Sequence, residues 1–328
     1  MRSLAGTLAA PFPYFGGKAL ACETVWGELG DPVNYVEPFA GSAAMLLGRP
    51  NPGKVETIND ADGFVANFWR AVSHAPDAVT HHADWPCIEA DLEARHAWLV
   101  NRSERLRWQL EDPDFYDAKV AGWWVWGACN WIGSGWCAGE GPHLTNGARL
   151  FDSRKLPHLG DAGKGINRQL PHLSAGQGEH PRSAYIREWM MKLAERLRDV
   201  RVTCGDWKRV VKDSVTTRHG LTGVFLDPPY TLGKMDYAAG GVGGELANAV
   251  REWCKQNGEN DLLRIVLCGH EHEHDELLQH GWHLRTWTAR KGYAVTDEAV
   301  ANSASETLWC SPHCVGRADT AQAALFAV

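Results

Sequence analysis

The sequence contains no apolar run near the roughly 20 residues that a bilayer-crossing helix needs, so helical membrane spans do not organise it. It also lacks a cysteine framework. The 9 Cys are odd in number and scattered, which argues against a disulfide-stapled domain. No internal repeat is present, so a solenoid is not expected. The spacing Gly-x-Gly-x-x-Gly does not occur at the glycine turn near residue 41, which disfavours a nicotinamide-dependent dehydrogenase. Positive charge is in deficit, with a formal net charge of −7, so the chain is not coated in basic residues. A local nucleic-acid-binding face remains compatible with that total. The first ten residues, Met1 to Ala10, are too weak for a secretory signal, and a short leader on a cytoplasmic protein is the expectation.

What is present is ordinary globular material, 328 residues of which 44% are hydrophobic, enough for one sizeable core plus an inserted subdomain. Short apolar runs alternate with helix-length segments, the signature of an α/β fold. Strands are expected at 34–37, 55–59, 201–204, 224–227, 264–268, 283–288 and 307–310. Helices are expected at 18–29, 42–47, 61–73, 184–198, 244–256 and 275–280. The run Val224-Phe-Leu226 is continuous rather than alternating, as suits a parallel strand covered on both faces. The reading is a doubly wound, mostly parallel, seven-stranded sheet. Between residues 80 and 182 the rhythm breaks down: mixed-charge helical sequence leads to a Trp-rich segment, Trp123 to Trp136, and then to a long Gly/Pro/His/Arg-rich stretch. The expected organisation is one domain from 1–79 and 183–328, with 80–182 inserted as a mainly helical and loop subdomain.

In an open α/β sheet, ligands bind beyond the carboxyl ends of the strands. Four such ends carry a polar or glycine signature. Tyr35-Val-Glu-Pro-Phe-Ala-Gly-Ser42 runs from a strand into a helix, and Gly41 would let the backbone approach a ligand. Asn59-Asp60 ends the second strand, where a carboxylate suits ribose hydroxyls or simply caps the next helix. Gly205-Asp206-Trp207 ends the third, with a carboxylate for an exocyclic amine and an aromatic ring to flank a base; capping competes there too.

The fourth end, Asp227-Pro228-Pro229-Tyr230, is the most specific. Two prolines give up two donors and stiffen the chain, and a residue before proline is held extended. Aromatic amino nitrogens are poor nucleophiles because their lone pair is delocalised into the ring. Asp227 and the Pro228 carbonyl together supply two acceptors for both N–H bonds, favouring a pyramidal nitrogen, while Tyr230 offers a ring for stacking.

With these segments in order, the chain resembles the S-adenosylmethionine-dependent DNA N6-adenine methyltransferases of the Dam type. The matching segments are Pro11-Phe-Pro-Tyr-Phe-Gly-Gly-Lys18, Glu37-Pro-Phe-Ala-Gly-Ser42, Ile58-Asn-Asp-Ala-Asp62 and Asp227-Pro-Pro-Tyr230, with Gly205-Asp206-Trp207 as a weaker fifth. The resemblance implies a Rossmann-like methyltransferase fold and S-adenosylmethionine as cofactor. Tyr14, Phe15, Gly16, Gly17, Lys18, Glu37, Pro38, Phe39, Ala40, Gly41 and Ser42 would surround its methionine part. Asn59 and Asp60 would face its ribose and Gly205, Asp206 and Trp207 its adenine, with Asp227 bordering the cofactor. Asp227, Pro228, Pro229 and Tyr230 would clamp a target adenine taken out of the duplex. The chain departs from the family in having Tyr14-Phe15 where a Trp is usual, and Ser42-Ala43 in place of a more glycine-rich turn.

Double-stranded DNA is the expected partner, with no membrane association and a monomer or weak dimer. Residues 149–212 hold 14 Lys and Arg against 7 Asp and Glu, while the remainder holds 19 against 33. Candidate phosphate contacts are Arg149, Arg154, Lys155, Lys164, Arg168 and Arg182, with Lys18 near the target base. Most of the tryptophans read as core, whereas Asn130, Trp131 and Trp136 sit among glycines where a wedge into the base stack would aid flipping. Cytosine N4 or RNA adenine as target, or a non-catalytic nucleic-acid-binding relative, are the alternatives. A cytosine C5 reaction would need a Cys nucleophile, and the single Pro-Cys, at Cys87, lies in the insertion. Cys310-Ser-Pro-His-Cys314 and His270-Glu-His-Glu-His274 could bind metal, but no second Cys pair completes a site and alternating His on a strand would face opposite ways. No metal is expected, and the His run reads as a solvated helix start.

Overall fold

The structure, a computed structural model, describes residues 8–14, 18–112, 114–131, 136–137, 182–229, 243–286 and 306–316. It is an α/β protein in which the described residues form seven strands, β1 (Asn34–Glu37), β2 (Val55–Asp60), β3 (Val200–Cys204), β4 (Thr222–Leu226), β5 (Leu263–His270), β6 (His283–Thr286) and β7 (Glu306–Cys310). Their order across the sheet is β3-β2-β1-β4-β5-β7-β6. β1 runs parallel to β2 and β4, and β4 to β5, whereas β7 lies antiparallel between β5 and β6. The sheet is therefore mixed, a departure confined to the β7 insertion.

The chain divides into two compact units, residues 1–17 with 61–205, and residues 18–60 with 206–328. The second unit carries β1, β2, β4, β5, β6 and β7 with the helices α1 (Cys22–Leu29), α2 (Ala44–Leu47) and α9 (Gly243–Asn257). β4 is buried at every position, as its unbroken apolar run requires. Its neighbours in the core include Val36, Ile265, Leu267, Val250 and Trp309. β4 begins and ends earlier than the sequence suggests, so that Asp227 lies just past the strand. Pro228, which has no N–H to give a ladder, accounts for the early end.

Arg49 is a polar anchor of this unit. Its guanidinium is 1% exposed, 3.1 Å from Glu56 Oε1, and lies over the rings of Trp26 and Tyr35 at 5.0 and 5.9 Å. The His run proves to be split: His272 is exposed beside Asp275, while His274 is fully buried with neither ring nitrogen hydrogen-bonded. Burial drops the His274 pKa to about 4, so it is neutral packing against Trp309 rather than part of a solvated helix start. The turn that follows, Asp275–His280, is 3₁₀ rather than α-helical.

The first unit is mainly helical: α3 (Gly63–His74), α4 (Pro76–Ala83), α5 (Glu89–Val100), α6 (Ser103–Gln109), α7 (Ala118–Asn130) and α8 (Arg182–Leu197), with β3. It is larger than the insertion expected at 80–182, because α3, α8 and β3 pack with it. α7 begins at Asp117, whose carboxylate accepts from Val120 N–H at 2.9 Å. Gly122 lets α4 approach: a Cβ there would lie 2.4 Å from His82 Cβ and 2.7 Å from the Val79 carbonyl. The tryptophans of α7 fill the core this creates, with Trp126 at 0% exposure and the Trp124 ring 4.9 Å from that of Phe12.

Removing the Arg49 side chain leaves Glu56 buried without its cation. Arg49→Ala is expected to lower the unfolding free energy by about 3–5 kcal/mol, read as a drop in urea midpoint, and Arg49→Met with Glu56→Gln is expected to recover most of it. Equal loss in the single and double variants would assign the effect to packing alone.

Candidate active site

The parallel pairing sends the carboxyl ends of β1, β2 and β4 to one edge of the sheet. Glu37 is level with Ile58, and Val36 with Val224. Glu37, Asp60 and Asp227 therefore converge, two of them on the ends of their strands and Asp227 one residue past Leu226. Three carboxyl groups this close must be compensated, and each is compensated differently.

Glu37 is 2% exposed. Tyr35, two residues earlier and so on the same face of β1, donates its hydroxyl to Glu37 Oε2 at 3.1 Å. The Leu46 N–H donates to the same oxygen at 3.1 Å. Burial raises the Glu37 pKa to about 8, with the charges of Asp227 and Asp60 adding to the rise and the two hydrogen bonds opposing it. Glu37 is thus a protonated brace beneath the turn that leads into α2.

That turn is tied to β2 at three points. The Ala40 N–H donates to the Asn59 carbonyl at 2.9 Å, Asn59 Nδ2 donates to the Pro38 carbonyl at 2.9 Å, and the Gly41 N–H donates to Asp60 Oδ2 at 2.8 Å. Gly41 at φ 45° and Ala43 at φ 49° fold the backbone into the left-handed region, and this delays the helix start to Ala44. Pro38, Ala40 and Gly41 are buried, Phe39 and Ser42 half-buried. The capping alternative for Asp60 fails, since Asp62 caps α3 by accepting from Phe64 N–H at 2.8 Å.

Asp227 is compensated by an ammonium. Lys18 Nζ lies 3.3 Å from Asp227 Oδ2, and the two side chains are 4% and 20% exposed. Pro228 is buried and Pro229 half-buried. Lys18, expected near a ligand, is thus in direct contact with the carboxylate of the proposed clamp.

Asp206 is exposed and caps the short 3₁₀ turn Trp207–Arg209 through Lys208 N–H at 2.8 Å. Trp207 is 5% exposed; its ring lies 6.0 Å from Phe39 and 6.3 Å from Trp253. An open pocket of ≈ 680 Å³ is lined by Trp207, Lys208, Val211, Lys212, Trp253 and Asn257, among others, and its lining includes none of Glu37, Asp60 and Asp227. The acceptors at the strand ends, rather than this groove, carry the chemical signature.

The remaining predicted residues fall elsewhere. In the helical unit, Tyr14 sits at 36% exposure with its ring 6.2 Å from Phe12, and Gly205 takes φ 129°. Asn130 and Trp131 are buried in that unit: Asn130 Nδ2 donates to the Trp126 carbonyl at 2.6 Å, and Trp131 stacks on His96 at 4.7 Å. Trp136 donates to the Trp124 carbonyl at 3.0 Å. As they stand, these three are core, and a wedging role would require them to leave it. Arg182 opens α8. Phe15, Gly16, Gly17, Tyr230, Arg149, Arg154, Lys155, Lys164 and Arg168 lie outside the described residues. Sequence reading missed Tyr35 as a partner of Glu37, although the spacing Tyr-x-Glu on a strand puts both on one face.

The raised Glu37 pKa has a signed consequence. Below pH 4.5 the group is protonated in both folded and unfolded chains and costs nothing. Between pH 4.5 and about 8 the unfolded chain releases the proton that the folded chain keeps, so this contribution to stability falls as pH rises. Glu37→Gln is expected to flatten the dependence, with a wild-type loss on the order of a few kcal/mol across that window absent from the variant. Parallel pH profiles of the two proteins, from urea midpoints, would refute the assignment.

Comparison with known proteins supplies no assignment: no family model matches the chain, and no curated protein matches it.

Proposed function

We propose that this protein is an S-adenosylmethionine-dependent DNA methyltransferase acting on the N6 amine of adenine. The observation that carries the reading is the juxtaposition of Asp227-Pro228, just past β4, with the β1 turn that is tied through Gly41 to Asp60. An amine acceptor and a glycine turn with an acidic partner stand on neighbouring strands, where an open α/β sheet binds its ligands. The mostly parallel seven-stranded sheet is compatible with the fold this function requires.

The donor set suits the cofactor. Its amino-acid end, ribose diol and sulfonium call for carboxylates, an ammonium and a turn that lets backbone come close. Asp60 would hold the ribose hydroxyls, the turn from Pro38 to Ser42 and Lys18 the amino-acid end, and Asp206 with Trp207 the adenine. When bound, S-adenosylmethionine supplies a methyl group activated by the sulfonium charge.

The residues of this chain then have distinct tasks. Asp227 accepts from one N–H of the target amine and the Pro228 carbonyl from the other, holding the nitrogen pyramidal. Lys18 fixes the Asp227 carboxylate from one side, and a carboxylate with about four lone-pair sites still accepts from an amine on the other. Rigid prolines remove the reorganisation that a flexible loop would need, so the rate gain comes from positioning and fixed polar groups. The target base must leave the duplex, because its N6 is otherwise paired and stacked.

Asp227→Ala is expected to lower methyl transfer to DNA by at least about 100-fold, with cofactor affinity changed only a few-fold. Asp60→Ala is expected to show the reverse emphasis, weakening cofactor binding first. Incorporation of labelled methyl groups and equilibrium cofactor titration measure the two quantities; full transfer by Asp227→Ala would end the clamp reading.

A further inference from the structure

A second cluster, made by side chains with no part in the methyl-transfer reading, lies on the same unit. Glu28 from α1, His283 from β6 and Cys310 from β7 bring a carboxylate oxygen, an imidazole nitrogen and a sulfur within 4.8 Å of one another. The sheet places two of them deliberately: His283 and Cys310 are a cross-strand pair in the antiparallel β6–β7 ladder. The α1 helix then supplies Glu28, whose Oε2 lies 2.9 Å from His283 Nε2. The nearby Cys314 is buried but engaged elsewhere, its thiol 3.5 Å from the Ile265 carbonyl and 3.6 Å from Ser311 Oγ.

We propose that Glu28, His283 and Cys310 form a binding site for one thiophilic divalent cation of the zinc class. Sulfur, imidazole and carboxylate are the ligands such an ion takes, and three of them leave a fourth position to solvent. A tetrahedron with metal–ligand bonds of about 2.0–2.3 Å spaces its ligand atoms by roughly 3.3–3.8 Å, which needs only small shifts from the observed cluster.

Three features favour a bound ion over a plain hydrogen-bond network. His283 Nδ1 is buried without a hydrogen-bond partner, an unusual arrangement for a group that otherwise costs desolvation. Arg285 donates its Nε–H to Glu28 Oε1 and an Nη2–H to the Gly316 carbonyl at 2.8 Å. It thereby orients the carboxylate as an outer partner of a metal ligand does. The charges also close: one thiolate, one carboxylate and a neutral imidazole around a divalent cation sum to zero. Cys310 is reduced and buried, and the partial exposure of His283 leaves a way in. Binding displaces the Cys310 thiol proton into solvent, so affinity falls as pH is lowered. Glu28 lies 255 residues from His283 along the chain, and a metal there would tie the first helix to the last strands.

The test uses the full chain, stripped by chelation and titrated with cobalt(II). One cobalt per chain is expected, with tetrahedral visible bands and a thiolate-to-cobalt charge-transfer band in the near ultraviolet. That band is expected to persist in Cys87→Ser, which alters an exposed thiol elsewhere, and to vanish in Cys310→Ser, which removes the site's one thiolate. Should Cys310→Ser not fold, His283→Gln supplies the same reading through loss of the tetrahedral bands. Absence of the charge-transfer band from the wild-type chain, or its survival in Cys310→Ser, overturns the site. Methyl transfer is not part of this readout, so the outcome stands apart from the fate of the methyltransferase reading.

Discussion

Like charges brought together at the end of a sheet set the terms for this molecule. Parallel pairing of β1, β2 and β4 fixes where Glu37, Asp60 and Asp227 finish, and repulsion among them has to be met locally. The chain meets it with a backbone N–H from Gly41 on Asp60 and the Lys18 ammonium on Asp227, while burial, with the two neighbouring charges adding to it, keeps a proton on Glu37. Each solution also builds structure. The proton allows Glu37 to be buried under the turn, the N–H locks the turn onto β2, and the ion pair fixes the residue that precedes the two prolines. A site rich in acceptors and held rigid follows from solving one electrostatic problem.

The helical unit obeys a different constraint. Its core is built of tryptophans, which need close helix approach and partners for their indole N–H groups. Gly122 permits the approach, and Trp126 and Trp136 donate to the carbonyls of Trp85 and Trp124 at 3.0 Å each. Arg95 lies over the rings of Trp85, Trp123 and Trp126, within 5.0 Å of each centroid, so a cation is folded into the same cluster. The sequence reading of most tryptophans as core agrees with this packing, which also takes in Trp131 and Trp136.

The legible and the illegible parts divide by range. β1 and β2 were readable because a short apolar run stops at an acidic residue, and α1, α8 and α9 because their apolar periodicity is intact. α4 was not, since Pro-Asp-Ala-Val-Thr-His-His-Ala has a weak apolar face and is held by packing with α7. Glu37 was recognised by position, but its raised pKa comes chiefly from burial in the folded core, with the charges of two other strands adding to it, and could not be read from its own strand. The same holds for the choice between Asp60 and Asp62 as helix cap, which only the backbone path decides. His274 gives no local sign of burial, and a cluster of Glu28, His283 and Cys310 exists only once α1 and the last strands have folded together.

What remains central is chemical: an acidic, proline-stiffened corner that grips an exocyclic amine beside a methyl donor. The most direct measurement is to incubate the purified chain with duplex DNA and S-adenosylmethionine carrying a labelled methyl group, digest the DNA and identify the modified nucleoside. N6-methyladenine is the product this account predicts; label in a C5-methylated cytosine, or no label in DNA while the protein binds the cofactor, would contradict it.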